Sequence, residues 1–169
     1  MHKNQNFDAV DQILEQWKKE KPQLELESMA IIGRLKRCAA LIQPQLDNLY
    51  AEFELSFWEF DVLATLLRSG GNYCLTPTEL FSSLMITSGT MTHRMTQLEK
   101  KGWIVRVNNE QDARSKLVQL SSEGFNLINQ AIEKHVENEN RILKPLNDQQ
   151  KKQLNNSLKA LLNLLEVNT

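Results

Sequence analysis

With 169 residues, 41% hydrophobic content and a formal net charge of −1, the chain is long enough for one cored domain, or a core shared with a partner chain. No apolar run is long enough to span a bilayer and no signal-peptide pattern opens the chain, so a soluble, cytoplasmic protein is expected. Cys38 and Cys74 lie far apart without CxxC spacing, and His2, His93 and His135 are scattered, so buried reduced thiols are expected, with no disulfide, metal or cofactor.

After a polar start, Val10, Ile13, Leu14 and Trp17 form an apolar stripe on a short helix ended by Lys21-Pro22. Trp17 reads as the helix's anchor on the body of the protein or as a flat wall for an aromatic ligand. A longer helix is expected from about Glu27 to Tyr50, with Ile31, Ile32, Leu35, Cys38, Ile42, Leu46 and Leu49 on its apolar side and a kink at Pro44. Ser56-Phe57-Trp58-Glu59 is a capping box that starts a third helix, closed by Gly70-Gly71. Its stripe is Phe60, Leu63 and Leu67, with Val62 and Leu66 beside it. Asp61 on this stretch is either an exposed carboxylate favoured by the helix dipole or a partly buried one paired with Arg94 or Arg106.

Tyr73-Cys74-Leu75 is a small strand. Thr76-Pro77-Thr78-Glu79 is a capping box with proline at the first helical position, and a second short helix begins at Thr87 or Ser88. Met91, Met95 and Leu98 recur at helical spacing and point inward, whereas Ser88, Thr92, His93, Thr96 and Gln97 form a polar face. Lys100 and Lys101 suit the negative end of the helix dipole, and Gly102 suits a left-handed cap. Trp103–Val107 and Lys116–Leu120 are strand-like runs joined by a polar loop. Two short helices followed by a ribbon make a winged helix-turn-helix, which places one helix in a DNA groove. The expected fold is therefore mainly α with a small β-wing. From Thr87 to Leu120 six Lys/Arg face three acids, so positive charge collects where phosphate contacts belong although the chain as a whole is slightly acidic.

After the wing, Ser121 caps a long helix to about Leu143, carrying Phe125, Ile128, Ala131, Ile132 and Val136 and stopped by Pro145. Asn147-Asp148-Gln149-Gln150 restarts a last helix with Leu154, Leu158, Leu161, Leu162 and Leu165. A compact winged unit cannot bury both end stripes, and an isologous homodimer would. It would set two reading helices about one DNA turn apart on a pseudo-palindromic operator. One continuous domain is expected: residues 7–55 as N-terminal helices, 56–120 as the winged unit and 121–169 as dimerisation helices. The DNA-facing residues are Thr87, Ser88, Thr90, Thr92, His93, Gln97, Lys100 and Lys116, with Arg114 at the ribbon tip placed to enter a minor groove and oriented by Asp112. No nucleophile–base pair, glycine-rich phosphate loop or metal spacing supports an enzyme.

Ser88-Gly89-Thr90-Met91-Thr92, Leu98-Glu99-Lys100-Lys101-Gly102, Asp112-x-Arg114 and Leu120-Ser121-x-x-Gly124, in that order, resemble the MarR family of bacterial transcription regulators. Gln16-Trp17-Lys18-Lys19-Glu20-Lys21-Pro22, Ile32-Gly33-Arg34-Leu35, Glu59–Leu66 and His135–Glu139 are similar to its PecS-type, urate-responsive branch, which carries an extra N-terminal helix. The resemblance implies a DNA-binding regulator, expected to be a repressor, released by urate. It also implies that the branch's urate-associated Trp, Asp and two Arg fall at Trp17, Asp61, Arg94 and Arg106. The alternative is a MarR-type repressor answering another phenolic or aromatic compound or drug. Three departures stand out: Ala113 interrupts the usual wing arginines, His93 replaces a common Asn or Ser, and Pro44 falls inside the long helix. A peroxide-sensing variant is disfavoured, because the position of that branch's thiol is Ile32 here.

Overall fold

The computed structural model describes residues 7–84, 91–109 and 115–167, with Met91 and Thr92 described by backbone only. Helix α1 (Ala9–Glu20) begins at a capping box missed in the sequence. The Asp8 carboxylate accepts from the Val10 and Asp11 amides, and the Asp11 side chain accepts from the Asp8 amide. Arg34 donates to both carboxylates, through Nε to Asp8 (2.8 Å) and Nη2 to Asp11 (2.6 Å). Asp8 consequently titrates below the ordinary carboxylate range, chiefly because of Arg34. Helix α2 (Glu27–Glu52) is uninterrupted through Pro44. The chain divides into two compact units just past that proline, Met1–Gln45 and Leu46–Thr169.

In the second unit, α3 (Phe57–Arg68) is the central helix: Phe60, Val62, Leu63 and Leu66 are all buried. Its exit uses Gly70 and Gly71, both at positive φ. Strand β1 (Cys74–Leu75) leads into α4 (Pro77–Ser83), whose Leu80 is fully buried. Helix α5 (Met91–Lys100) follows, then the strands β2 (Ile104–Asn108) and β3 (Lys116–Leu120). The sheet order is β1-β3-β2 and antiparallel throughout, with Ile104 opposite Leu120, Asn108 opposite Lys116 and Leu75 opposite Val118. Helices α6 (Ser122–Ile142) and α7 (Asp148–Val167) complete the chain. One core joins Tyr50, Leu55, Phe60, Leu63, Leu66, Leu80, Met95, Leu98, Ile104, Val118 and Ile128. The fold is thus mainly helical with a three-stranded wing sheet, as expected from the sequence.

Burial departs from the expected stripes at the two ends. Helix α2 buries only Leu49 and Tyr50, leaving Ile31 and Ile32 exposed, and α7 buries nothing. On α6, Ile128 and Ala131 are buried but Val136 is exposed. Trp17 is 41% exposed, and the buried residue of α1 is Val10, packed against Gly33. Cys38 is exposed and Cys74 half-buried, which corrects the expectation of two buried thiols. The common reason is that helical periodicity identifies an apolar face but not which surface, if any, covers it. Among the described residues no helix is long and apolar enough to cross a membrane, and none of the His, Cys, Asp or Glu clusters is suited to a metal.

Candidate nucleic-acid interface and effector residues

Helix α4 is locked at its start by local chemistry alone. The Thr76 hydroxyl accepts from the Glu79 amide (3.2 Å), while Glu79 Oε2 accepts from the Thr76 amide (2.9 Å) and hydroxyl (2.8 Å), with Pro77 at the first helical position. Those Thr76 donors hold the Glu79 carboxyl below its usual range. At the other end, Arg68 reaches from α3 to donate to the Ser83 carbonyl and to Thr65 Oγ1. A free helix carbonyl is satisfied there by a cation, which also suits the dipole.

Helix α5 turns Met95 and Leu98 into the core, and His93, Thr96, Gln97 and Lys100 outward. The Gln97 amide nitrogen lies 3.0 Å from His93 Nε2, so these two side chains form one polar patch. The helix ends in a Schellman motif: Trp103 N donates to Leu98 O (3.1 Å) and Gly102 N to Glu99 O (3.0 Å), with Gly102 at φ 73°. A side chain at that φ would be strained, so glycine is favoured there. At the ribbon, Lys116 donates to Asn108 Oδ1, and Asn109 Nδ2 donates to Ser115 Oγ (2.9 Å). Thr87, Ser88, Thr90 and Arg114 lie outside the described residues, as does the side chain of Thr92.

The four expected effector residues are placed as follows. Trp17 is on α1, in the first unit. Asp61 is buried on α3, which removes the reading of it as an exposed dipole-favoured carboxylate; the acid that caps α3 is Glu59. Asp61 is one of three carboxylates whose charge acts on Tyr50. The Arg94 guanidinium sits 5.1 Å from the Trp58 ring centroid, and Arg106 Nε lies 3.3 Å from Glu99 Oε1. Cations on α5 and β2 are therefore tied to neighbours by contacts that the sequence did not reveal.

Two further contacts escaped sequence reading. Glu59 is buried, and its Oε2 accepts from the Ser56 amide (2.8 Å) and hydroxyl (2.6 Å) while Oε1 accepts from Lys101 Nζ (2.6 Å). Burial opposes ionisation, but Lys101 and Ser56 outweigh it and the carboxyl titrates below the usual glutamate range. The Ser-x-x-Glu spacing disclosed the cap; the lysine, 42 residues away in sequence, was not detectable. Secondly, the Tyr50 hydroxyl lies 3.3 Å from His135 Nδ1, and His135 Nε2 lies 3.2 Å from Glu139 Oε1, with the Phe60 ring tilted against both the Tyr50 and His135 rings.

The profile of the MarR family matches residues 55–116, which run from two residues before α3 to the first residue of β3. The chain is 43% identical to the HTH-type transcriptional regulator PecS of Dickeya dadantii over 93% of its own length and 92% of the relative's. Among solved structures it is similar to a MarR mutant from E. coli complexed with operator DNA (TM-score 0.68, 24% identity, 83% of this chain and 99% of that one). It is also similar to the Streptomyces coelicolor MarR family regulator Sco3205 in complex with DNA (TM-score 0.72, 23% identity, 82% and 88%). At these identities the two structures bear on the fold, and the PecS match carries the assignment. The chain belongs to the MarR family: it is a DNA-binding transcriptional regulator, not an enzyme, and a homologue of PecS.

Proposed function

We propose that two copies of the chain bind a pseudo-palindromic operator and repress transcription until a small anionic aromatic ligand, urate in the first instance, releases the DNA. The observation that carries the DNA half is α5 itself. Its apolar side is consumed by the core, while His93, Gln97 and Lys100 stand outward just ahead of the paired strands. Short donors and acceptors of this kind suit base edges, and Lys100 and Lys116 suit phosphates. By sequence, Thr87, Ser88, Thr90 and Thr92 are assigned to the DNA contacts as well, and Arg114 to the minor groove.

The effector half rests on the match of Trp17, Asp61, Arg94 and Arg106 to the urate-responsive branch. Urate is a planar monoanion at neutral pH, suited to a flat aromatic face and a guanidinium fork. Arg94 belongs to α5 and Arg106 to β2, so an anion that competes with Trp58 or Glu99 for either would act on the elements that meet DNA. Release then requires that the ligand prefer the non-binding arrangement of the two heads.

The test is a gel-shift titration on the DNA upstream of the protein's own gene, at fixed salt, with urate or with salicylate. Release by urate alone, with resistance in Trp17→Ala, is the expected result. A shift indifferent to urate would discard the ligand in favour of another aromatic effector, and no shift at low salt would discard the DNA half.

A further inference from the structure

Residues Trp58 and Glu59, adjacent in the first turn of α3, meet two cations on one side of the α5 segment. Arg94 lies over the Trp58 ring, and Lys101, about two helical turns further on, bonds Glu59. Lys101 also lies 4.3 Å from the Trp103 ring centroid, so its ammonium is held between a carboxylate and an aromatic face. Glu59 is in turn fixed by Ser56 and buried, so its position is set by the core-forming helix and not by solvent. A buried carboxylate that loses its cation is costly, whereas an exposed lysine is ordinarily free to choose a phosphate. The geometry therefore withdraws Lys101 from the pool of phosphate-binding cations and makes it a tether.

We infer that Glu59 and Lys101 form a positioning pair that holds the C-terminal end of α5 on α3 and thereby sets the angle at which the reading face meets DNA. This rests on α5 being the reading helix. Neither residue touches DNA; each acts through the pose of His93, Gln97 and Lys100.

The test uses the full chain and the duplex upstream of its own gene, titrated over a range of salt. Glu59→Gln keeps the capping box, since glutamine can serve there, but removes the charge that holds Lys101. The pair's role predicts that Glu59→Gln and Lys101→Met each weaken binding about fivefold to tenfold, the low end of ordinary coupling between sites. The slope of log affinity against log salt stays unchanged, the double variant is no worse than Lys101→Met, and Lys101→Arg restores binding. A phosphate-contacting Lys101 gives the opposite pattern. Lys101→Met would then lower the slope by about 0.9, and Glu59→Gln, by freeing the lysine, would bind as tightly as the wild type or tighter. That result overturns the inference. If Glu59→Gln does not fold, Lys101→Met decides alone: weakened binding at unchanged slope supports the inference, and a lowered slope or unweakened binding overturns it. Wild-type protein that shifts no duplex would remove the reading role of α5 and the pair's role with it, a failure distinct from variants that behave like a DNA-binding wild type.

Discussion

At the scale of single residues, Gly124, in the first turn of α6, has the least room for a side chain among the described glycines. A Cβ there would lie 1.9 Å from the Trp103 carbonyl oxygen, and that oxygen already accepts from the Ser121 amide at 3.1 Å. Backbone cannot swing aside as a flexible side chain can. Gly124→Ala should therefore cost about 3 kcal/mol, the upper end of overpacking penalties, read as a lowered urea midpoint; a loss below about 1 kcal/mol would mean that the wing exit yields more easily than its hydrogen bonds suggest. Tyr50 offers a pH-dependent counterpart. Burial first, then the carboxylates of Glu139, Asp47 and Asp61, push its hydroxyl up to about 12. A folded-state pKa above the unfolded one favours the folded state fully below pH 10 and loses that contribution as pH rises from about 10 to about 12. Unfolding free energies across that window should fall for the wild type and flatten for Tyr50→Phe. Equal slopes in the two proteins would remove Tyr50 as the source.

Single elements show how far local signals reach. Three capping boxes open α1, α3 and α4, and Ser121 caps α6 by accepting from the Gly124 amide. Asn147 and Gln150 exchange bonds in the same way before α7. These motifs involve residues three apart, so the sequence contains the whole interaction. Thr76→Ala should remove about 1 kcal/mol of stability, because the Glu79 amide loses its acceptor and Glu79 Oε2 loses the hydroxyl, keeping only the backbone amide as donor. Thermal unfolding with an unchanged midpoint would show that Pro77 and tertiary packing hold α4 without the cap. Helix α1 is the instructive miss: Asp8 and Asp11 make a box with two acids, a variant of the usual pattern, and Arg34 completes it from another helix.

For the molecule as a whole, the question is what covers the apolar faces that the single chain leaves open. Leu154, Leu158, Leu162 and Leu165 are exposed along α7, as are Ile31, Ile32 and Leu41 on α2. A stripe of this extent is unusual on a monomer and ordinary at an interface between copies. Under the homodimer proposal, a Leu158→Glu and Leu162→Glu double variant should sediment as a folded monomer and lose operator binding, because one head cannot span a two-part site. An unchanged mass would place the dimer contact elsewhere.

Caps, breakers and alternating strands are written in neighbouring residues, so the order of helices, the wing and the winged helix-turn-helix were legible before any coordinates. Much of the core of α3 was legible too, since Phe60, Val62, Leu63 and Leu66 belong to its expected apolar face and are buried. Glu59 with Lys101, Arg94 with Trp58, and Tyr50 with His135 were not, because each joins residues brought together only by chain folding. Nor could periodicity tell a stripe buried within the chain, as on α3, from one left outward, as on α7. Periodicity reports that a face is apolar; what lies opposite depends on where the rest of the polymer, or a second copy, comes to rest.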